Sequence, residues 1–217
     1  MKGRAALRVL EIALLVIGIA ALTTYGLLEL EKVRGQADLR EQFENGGTDQ
    51  LPAELPGDAA QGEERSSPAP RGSVLGRLTA ERIGLDVMIA EGIDRSTLRR
   101  AAGRIPGTAR LDSEGNVGIA AHRDTFFRPL KDIQRGDVLE VETQRGAYRY
   151  RVEWLAVVDP NDVQLLQPSS DAELTLVTCY PFYYVGPAPQ RFVVRALRID
   201  EGTTPQVAAS LQTESEL

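Results

Sequence analysis

Residues 174–199 read Leu-Thr-Leu-Val-Thr-Cys-Tyr-Pro-Phe-Tyr-Tyr-Val-Gly-Pro-Ala-Pro-Gln-Arg-Phe-Val-Val-Arg-Ala-Leu-Arg-Ile. Two apolar, β-branched runs, 174–179 and 191–199, flank a stretch in which Pro181, Gly186, Pro187 and Pro189 forbid regular structure. That pattern predicts two antiparallel strands joined by a loop. Side chains alternate across a strand. Leu174 and Leu176 therefore point one way and Thr175, Val177 and Cys179 the other; Phe192, Val194 and Ala196 oppose Arg191, Val193 and Arg195. With the bulky positions in the core, Cys179 and Arg191 face away from it at one end of the pair.

The same period continues upstream. Residues 138–143 and 147–158 flank Gln144-Arg145-Gly146, a predicted hairpin with its glycine in the turn. Leu139, Val141, Tyr148, Tyr150, Val152 and Trp154 share one face, and the aromatics are assigned to core or cross-strand packing. Strands are also predicted at 74–80, 85–90 and 116–122, with a short helix capped by Ser96 and ended by Gly103. Many short strands and little helix predict an all-β domain, a closed barrel or a sandwich, not a parallel α/β sheet.

The only cysteine, Cys179, and the only histidine, His122, each end such a run. In 116–122, Gly118, Ala120 and His122 fall on one face, and the two small residues leave room for a groove beside the imidazole. A thiol, an imidazole and a permanent cation are the parts of acyl transfer through a thioester. A cation favours the thiolate, histidine exchanges a proton near neutrality, and arginine offers donors to a developing oxyanion. Asp124, which could orient the histidine, reads as a turn carboxylate.

A single cysteine excludes an intramolecular disulfide and a thiolate metal cluster. The acids Asp86, Glu91, Asp112, Glu114, Glu140 and Glu142 lack the spacing of a calcium loop and read as surface charge. No cofactor and no metal are expected. A net charge of −6 without clustered Lys and Arg argues against nucleic acid.

Ahead of the strands, residues 12–28 carry no charge, about 25 Å of helix, and Lys2, Arg4 and Arg8 precede them. This predicts a retained signal anchor with its N-terminus in the cytoplasm and the rest outside. The expected organisation is a cytoplasmic N-terminus over 1–8, a transmembrane helix over 9–28, a juxtamembrane segment and flexible linker over 29–72, a folded domain over 73–201 and a polar tail over 202–217.

Taken together these residues resemble the sortase family, over about 74–199. Leu174-Thr175-Leu176-Val177-Thr178-Cys179 is similar to the family's TLxTC signature, and Arg191 opens an Arg-Phe-Val-Val strand after it. Gly118-Ile119-Ala120-Ala121-His122-Arg123 looks like its histidine segment, Ile105-Pro106-Gly107-Thr108 like the stretch before it, and Gly136-Asp137 is family-like. Cys179-Tyr180-Pro181-Phe182 with the following Tyr184-to-Pro189 stretch most resembles class D.

The resemblance implies an eight-stranded β-barrel behind a transmembrane helix: a single-pass cytoplasmic-membrane cysteine transpeptidase with its catalytic domain outside the cell. Such enzymes cut an LPxTG-type sorting motif of secreted proteins between Thr and Gly and pass the acyl group to an amine of the cell envelope or of a protein lysine. Carried across, Cys179 is the nucleophile, His122 the general acid/base and Arg191 the stabiliser of oxyanion and peptide. Thr178 is a further oxyanion and substrate contact, Ala120 and Tyr180 line the substrate, and the 180–190 loop forms one wall of the groove. No Asp-Pro-Trp/Phe-Gly lid precedes the domain and no second apolar span follows it, which favours an anchoring enzyme over a pilus polymerase. Two other readings stay open on the residues alone: a thiol peptidase that hydrolyses the thioester, and a membrane-tethered binding module with incidental Cys and His.

Overall fold

The period-2 runs become strands in a computed structural model of the chain, which describes residues 2–46, 69–184 and 186–199. They are β1 (Val74–Ala80), β2 (Leu85–Glu91), β3 (Ala102–Arg104), β4 (Asn116–Ala120), β5 (Val138–Thr143), β6 (Gly146–Val158), β7 (Glu173–Tyr180) and β8 (Gln190–Arg198). They close into a barrel in the order β1-β2-β3-β4-β7-β8-β6-β5. All pairs are antiparallel except β2 with β3 and β4 with β7. Leu78, Val87, Ile89, Val117, Ile119, Leu139, Val141, Leu174, Leu176 and Val194 fill the interior. Each such side chain contributes roughly 1.5–3 kcal/mol by leaving water.

β3 stands where the sequence predicts the end of a helix. Its Gly103 is required by close approach: a Cβ there would lie 2.1 Å from the Gly92 carbonyl oxygen. The helix before it, α2 (Arg95–Arg100), is capped by Asp94, whose carboxylate accepts from the amides of Ser96 and Thr97, and not by Ser96. In the β5–β6 hairpin Thr143 pairs with Gly146, so the turn is Gln144-Arg145 and the glycine opens β6. Trp154 leaves the face it was expected to share with Val152 and packs across the strand pair. The β6–β8 register shifts between Val152 and Trp154, and the bulge turns Trp154 out beneath the Arg195 guanidinium, 5.4 Å from its ring centroid, while Leu155 packs on the core.

The N-terminal helix α1 (Lys2–Asn45) is longer than the expected span. Its apolar stretch is exposed, Ile12, Ile17 and Leu22 each by more than half, and by length and composition it suffices to cross a membrane. Residues 29–45, most of them the charged juxtamembrane stretch that could continue the helix, do continue it and dock on the barrel. Leu39 is buried with Met88, Ala90 and Ala101, flanked by Phe43 and Val74. Gln36 donates to the Arg100 carbonyl and accepts the Met88 amide at 2.9 Å. Met88 needs that partner because β3 first pairs with β2 at Ile89. Most of the expected linker, 47–68, and the tail 202–217 lie outside the described residues.

Candidate active site

Two registers bring the expected residues together. In the antiparallel β7–β8 pair Cys179 lies directly opposite Arg191. Such side chains project to the same face with Cβ atoms about 4.5–5.5 Å apart. In the parallel β4–β7 pair Ala120 is opposite Val177, and the Ala121 amide donates to the Val177 carbonyl at 3.3 Å. His122 follows two residues after Ala120, just past the end of β4. The three positions therefore lie toward one end of the barrel, with Cys179 and Arg191 on the face away from Leu174 and Leu176.

β4 stops at Ala120, two residues short of the predicted strand end, because the chain turns at the histidine: the His122 carbonyl accepts the amides of Thr125 and Phe127. This turn leaves His122 exposed. Cys179 is a half-buried free thiol. Arg191 is half-buried, donates to the carbonyls of Gln190 (2.9 Å) and Ala188 (3.3 Å), and has no ion-pair partner among the described residues. Among the described residues no carboxylate neutralises this cation, whose position lies opposite that of the sulfur across one strand gap. Asp124 is an exposed turn residue and makes no hydrogen bond to His122.

Thr178 points inward. It is 2% exposed, and its hydroxyl donates to the Ala121 carbonyl at 2.7 Å. This bond ties the strand carrying the sulfur to the segment carrying the imidazole. Ala120 is half-buried on the groove side. Gly118 opens no space there: a Cβ would meet Leu166, Thr108 and Ile105 at 3.0–3.2 Å, so the missing side chain admits covering residues, not a ligand. Tyr180 is half-buried, packs edge-on against Phe182 (6.0 Å) and stacks on Phe192 (6.3 Å), forming an aromatic base for the β7–β8 loop.

Sequence reasoning missed the polar residues that hold the outer wall and the loop next to the site. The Asn116 amide donates to the carbonyls of Leu165 and Gln167, and its oxygen accepts from Thr175 at 2.7 Å. Arg195 pairs with Glu173 and donates to the Leu165 carbonyl. These polar groups, Asn116 and Thr175 buried and Arg195 and Glu173 half-buried, clamp the β6–β7 connection over the outer wall of β4, β7 and β8. Arg123 donates to the carbonyls of Pro181, Tyr184 and Gly186. Its position beside His122 was a signal in the sequence, but its partners were not. A separate cleft of about 670 Å³ opens at the end of the barrel opposite Cys179, between Val74, Glu91, Arg104, Asp112 and Arg145. Among the described residues no group of three or more His, Cys, Asp or Glu is placed to hold a metal ion.

The sortase domain model matches residues 78–199. Sortase D of Bacillus subtilis is 32% identical over 129 residues, covering 59% of this chain and 65% of its own length, so the chain spans less than two thirds of that relative. The barrel is similar to the structure of a sortase D5 of Clostridium perfringens, described as a transpeptidase, with a TM-score of 0.60, 24% identity, and coverage of 78% of this chain and 99% of that one. It is also similar to a lid mutant of sortase A from Corynebacterium diphtheriae, with a TM-score of 0.56, 30% identity, and coverage of 61% and 73%.

Proposed function

The chain belongs to the sortase family, and from that premise we propose that it is a membrane-anchored cysteine transpeptidase acting on LPxTG-like sorting motifs of exported proteins. The observation that carries this reading is the register that sets Cys179 opposite Arg191, with His122 two residues past the end of the neighbouring strand β4. The Cys179 thiolate attacks the carbonyl of the scissile Thr–Gly bond. The Arg191 guanidinium stabilises the oxyanion of the tetrahedral adduct. Protonated His122 gives its proton to the departing glycine amine, the C–N bond breaks, and a thioester to Cys179 remains. An incoming amine then attacks the thioester carbonyl, neutral His122 takes the amine's proton, and the sulfur leaves as thiolate. The new amide joins the exported protein to an acceptor, a cell-envelope peptide amine or a protein lysine.

Ala120 and Tyr180 line the substrate beside the sulfur, and Thr178 acts beneath them by fixing His122 against Cys179. The exposed apolar half of α1 spans the cytoplasmic membrane, with Lys2, Arg4 and Arg8 on the cytoplasmic side and the barrel outside. The test is a peptide-library assay on the full chain in detergent micelles, with and without hydroxylamine. A hydroxamate product that disappears in Cys179→Ala is expected. Cleavage that yields only the free acid at every amine concentration would favour a thiol peptidase, and no cleavage together with an unreactive Cys179 thiol would remove the enzyme reading.

A further inference from the structure

The loop between Cys179 and Arg191 has no strand partner of its own. One side chain from outside it gathers it. Arg123 Nη1 donates to the Pro181 carbonyl at 2.9 Å, and Nη2 donates to the carbonyls of Tyr184 at 2.8 Å and Gly186 at 3.2 Å. The same guanidinium lies over the Tyr184 ring, 5.7 Å from its centroid. A planar fork can reach three carbonyls that diverge around it; a lysine ammonium is a single point on a flexible stem. From the same segment Arg128 lies over the Tyr183 ring at 5.8 Å, an exposed contact that reaches no loop carbonyl.

We infer that Arg123 is a positioning residue: it straps the β7–β8 loop to the His122 turn and so sets the width of the groove in which the sorting peptide lies. The inference rests on the transpeptidase reading for its consequence but not for its geometry. Arg123 sits one residue after His122, and its acceptors begin two residues after Cys179. Together with the Thr178–Ala121 bond it makes the imidazole turn, the sulfur strand and the loop one unit. Through Arg123 the wall opposite the imidazole stays at a fixed distance when the groove is empty, so substrate meets a formed cleft and binding carries little cost of ordering the loop. Loss of the fork frees the wall and leaves the sulfur and Arg191 in place on their strands and the imidazole on its turn.

The experiment compares the full chain in micelles with Arg123→Gln, Arg123→Lys and, as a control on the neighbouring contact, Arg128→Gln. Hydrogen exchange over residues 181–189 is measured alongside KM and kcat for the sorting peptide. In Arg123→Gln, exchange in the loop is expected to rise at least tenfold with β7 and β8 unchanged. KM is expected to rise about tenfold, kcat to fall less than threefold, and the pH profile to stay fixed. Arg123→Lys restores the charge but not the three bonds and is expected to lie closer to Gln than to Arg; Arg128→Gln is expected to move loop exchange less than threefold. Loop protection unchanged in Arg123→Gln overturns the strap, whether or not the protein turns over any peptide. An equal fall in kcat and in protection across β7 and β8 also overturns it, since that is general loosening. If no variant, wild type included, cleaves peptide, the transpeptidase reading fails and loop exchange alone decides the strap.

Discussion

Cys179 and Arg191 are held by nothing more elaborate than strand register, and that makes their chemistry separable by substitution. Arg191→Lys keeps the charge but replaces a fork of donors with one ammonium. A lost oxyanion donor costs on the order of 10²–10³ in kcat, and a decrease of that size with KM little changed is expected in a steady-state peptide assay. Near-normal turnover would take the oxyanion role away from Arg191. Thr178 makes a different prediction. Thr178→Val preserves the shape but leaves the Ala121 carbonyl without its donor in a buried setting. A buried acceptor left unpaired costs roughly 1–3 kcal/mol. Denaturant unfolding should show that loss, and kcat should fall because the His122 turn is no longer fixed to β7. A hydroxyl that touched only substrate would change turnover and leave stability alone.

At the level of elements, the strands that alternate over five or more residues were legible, and their inner faces match the core at Leu139, Val141, Leu174, Leu176 and Val194. What was not legible shares one cause: the deciding partner lies far away in the chain. β3 has three residues, too few to display a period, and exists because β2 and β4 offer it a slot that only Gly103 fits. The outward turn of Trp154 follows from a bulge set by pairing with β8, so period-2 counting along β6 alone continues it on the wrong face. In α1, Gln36, Leu39, Arg40 and Phe43 repeat at i, i+3, i+4 and i+7, a helical stripe whose target, Met88 and Ala90, lies some 50 residues on. Leu39→Ala in the full chain is expected to lose roughly 2–5 kcal/mol, the cost of emptying a buried leucine site. The lone tryptophan, Trp154, offers a fluorescence reading of that unfolding; an unchanged midpoint would mean that α1 is not part of the folded unit. Arg40→Ala, which removes an exposed pair with Asp86, is expected to cost less than about 1 kcal/mol.

Across the whole molecule, anchorage and chemistry occupy opposite walls. In the closed strand order the β1–β2 wall that receives α1 lies half-way round from β7 and β8, so damage to one can be read without damage to the other. The carboxylates held below their ordinary range cluster on the anchorage side. The Arg77 guanidinium, by hydrogen bond and then by charge, keeps Asp86 low against its partial desolvation. Arg82 does the same for Asp137, which also accepts the Gln134 amide. Hydrogen bonds from Ser96 and Thr97 hold Asp94 well below the usual carboxylate range. Each folded-state value lies under the unfolded one near 3.9, so each contribution is complete above that pH and is lost as pH falls through the folded value. The barrel's unfolding midpoint should be flat with respect to these groups from pH 7 to about 5 and should drop below about pH 4. Asp137→Asn tests the attribution, because the amide cannot ionise opposite Arg82. Its midpoint is expected to lie below wild type at pH 7, and the two curves should converge as the solution is taken toward pH 2. Parallel curves across that range would show that the acid sensitivity arises elsewhere in the fold.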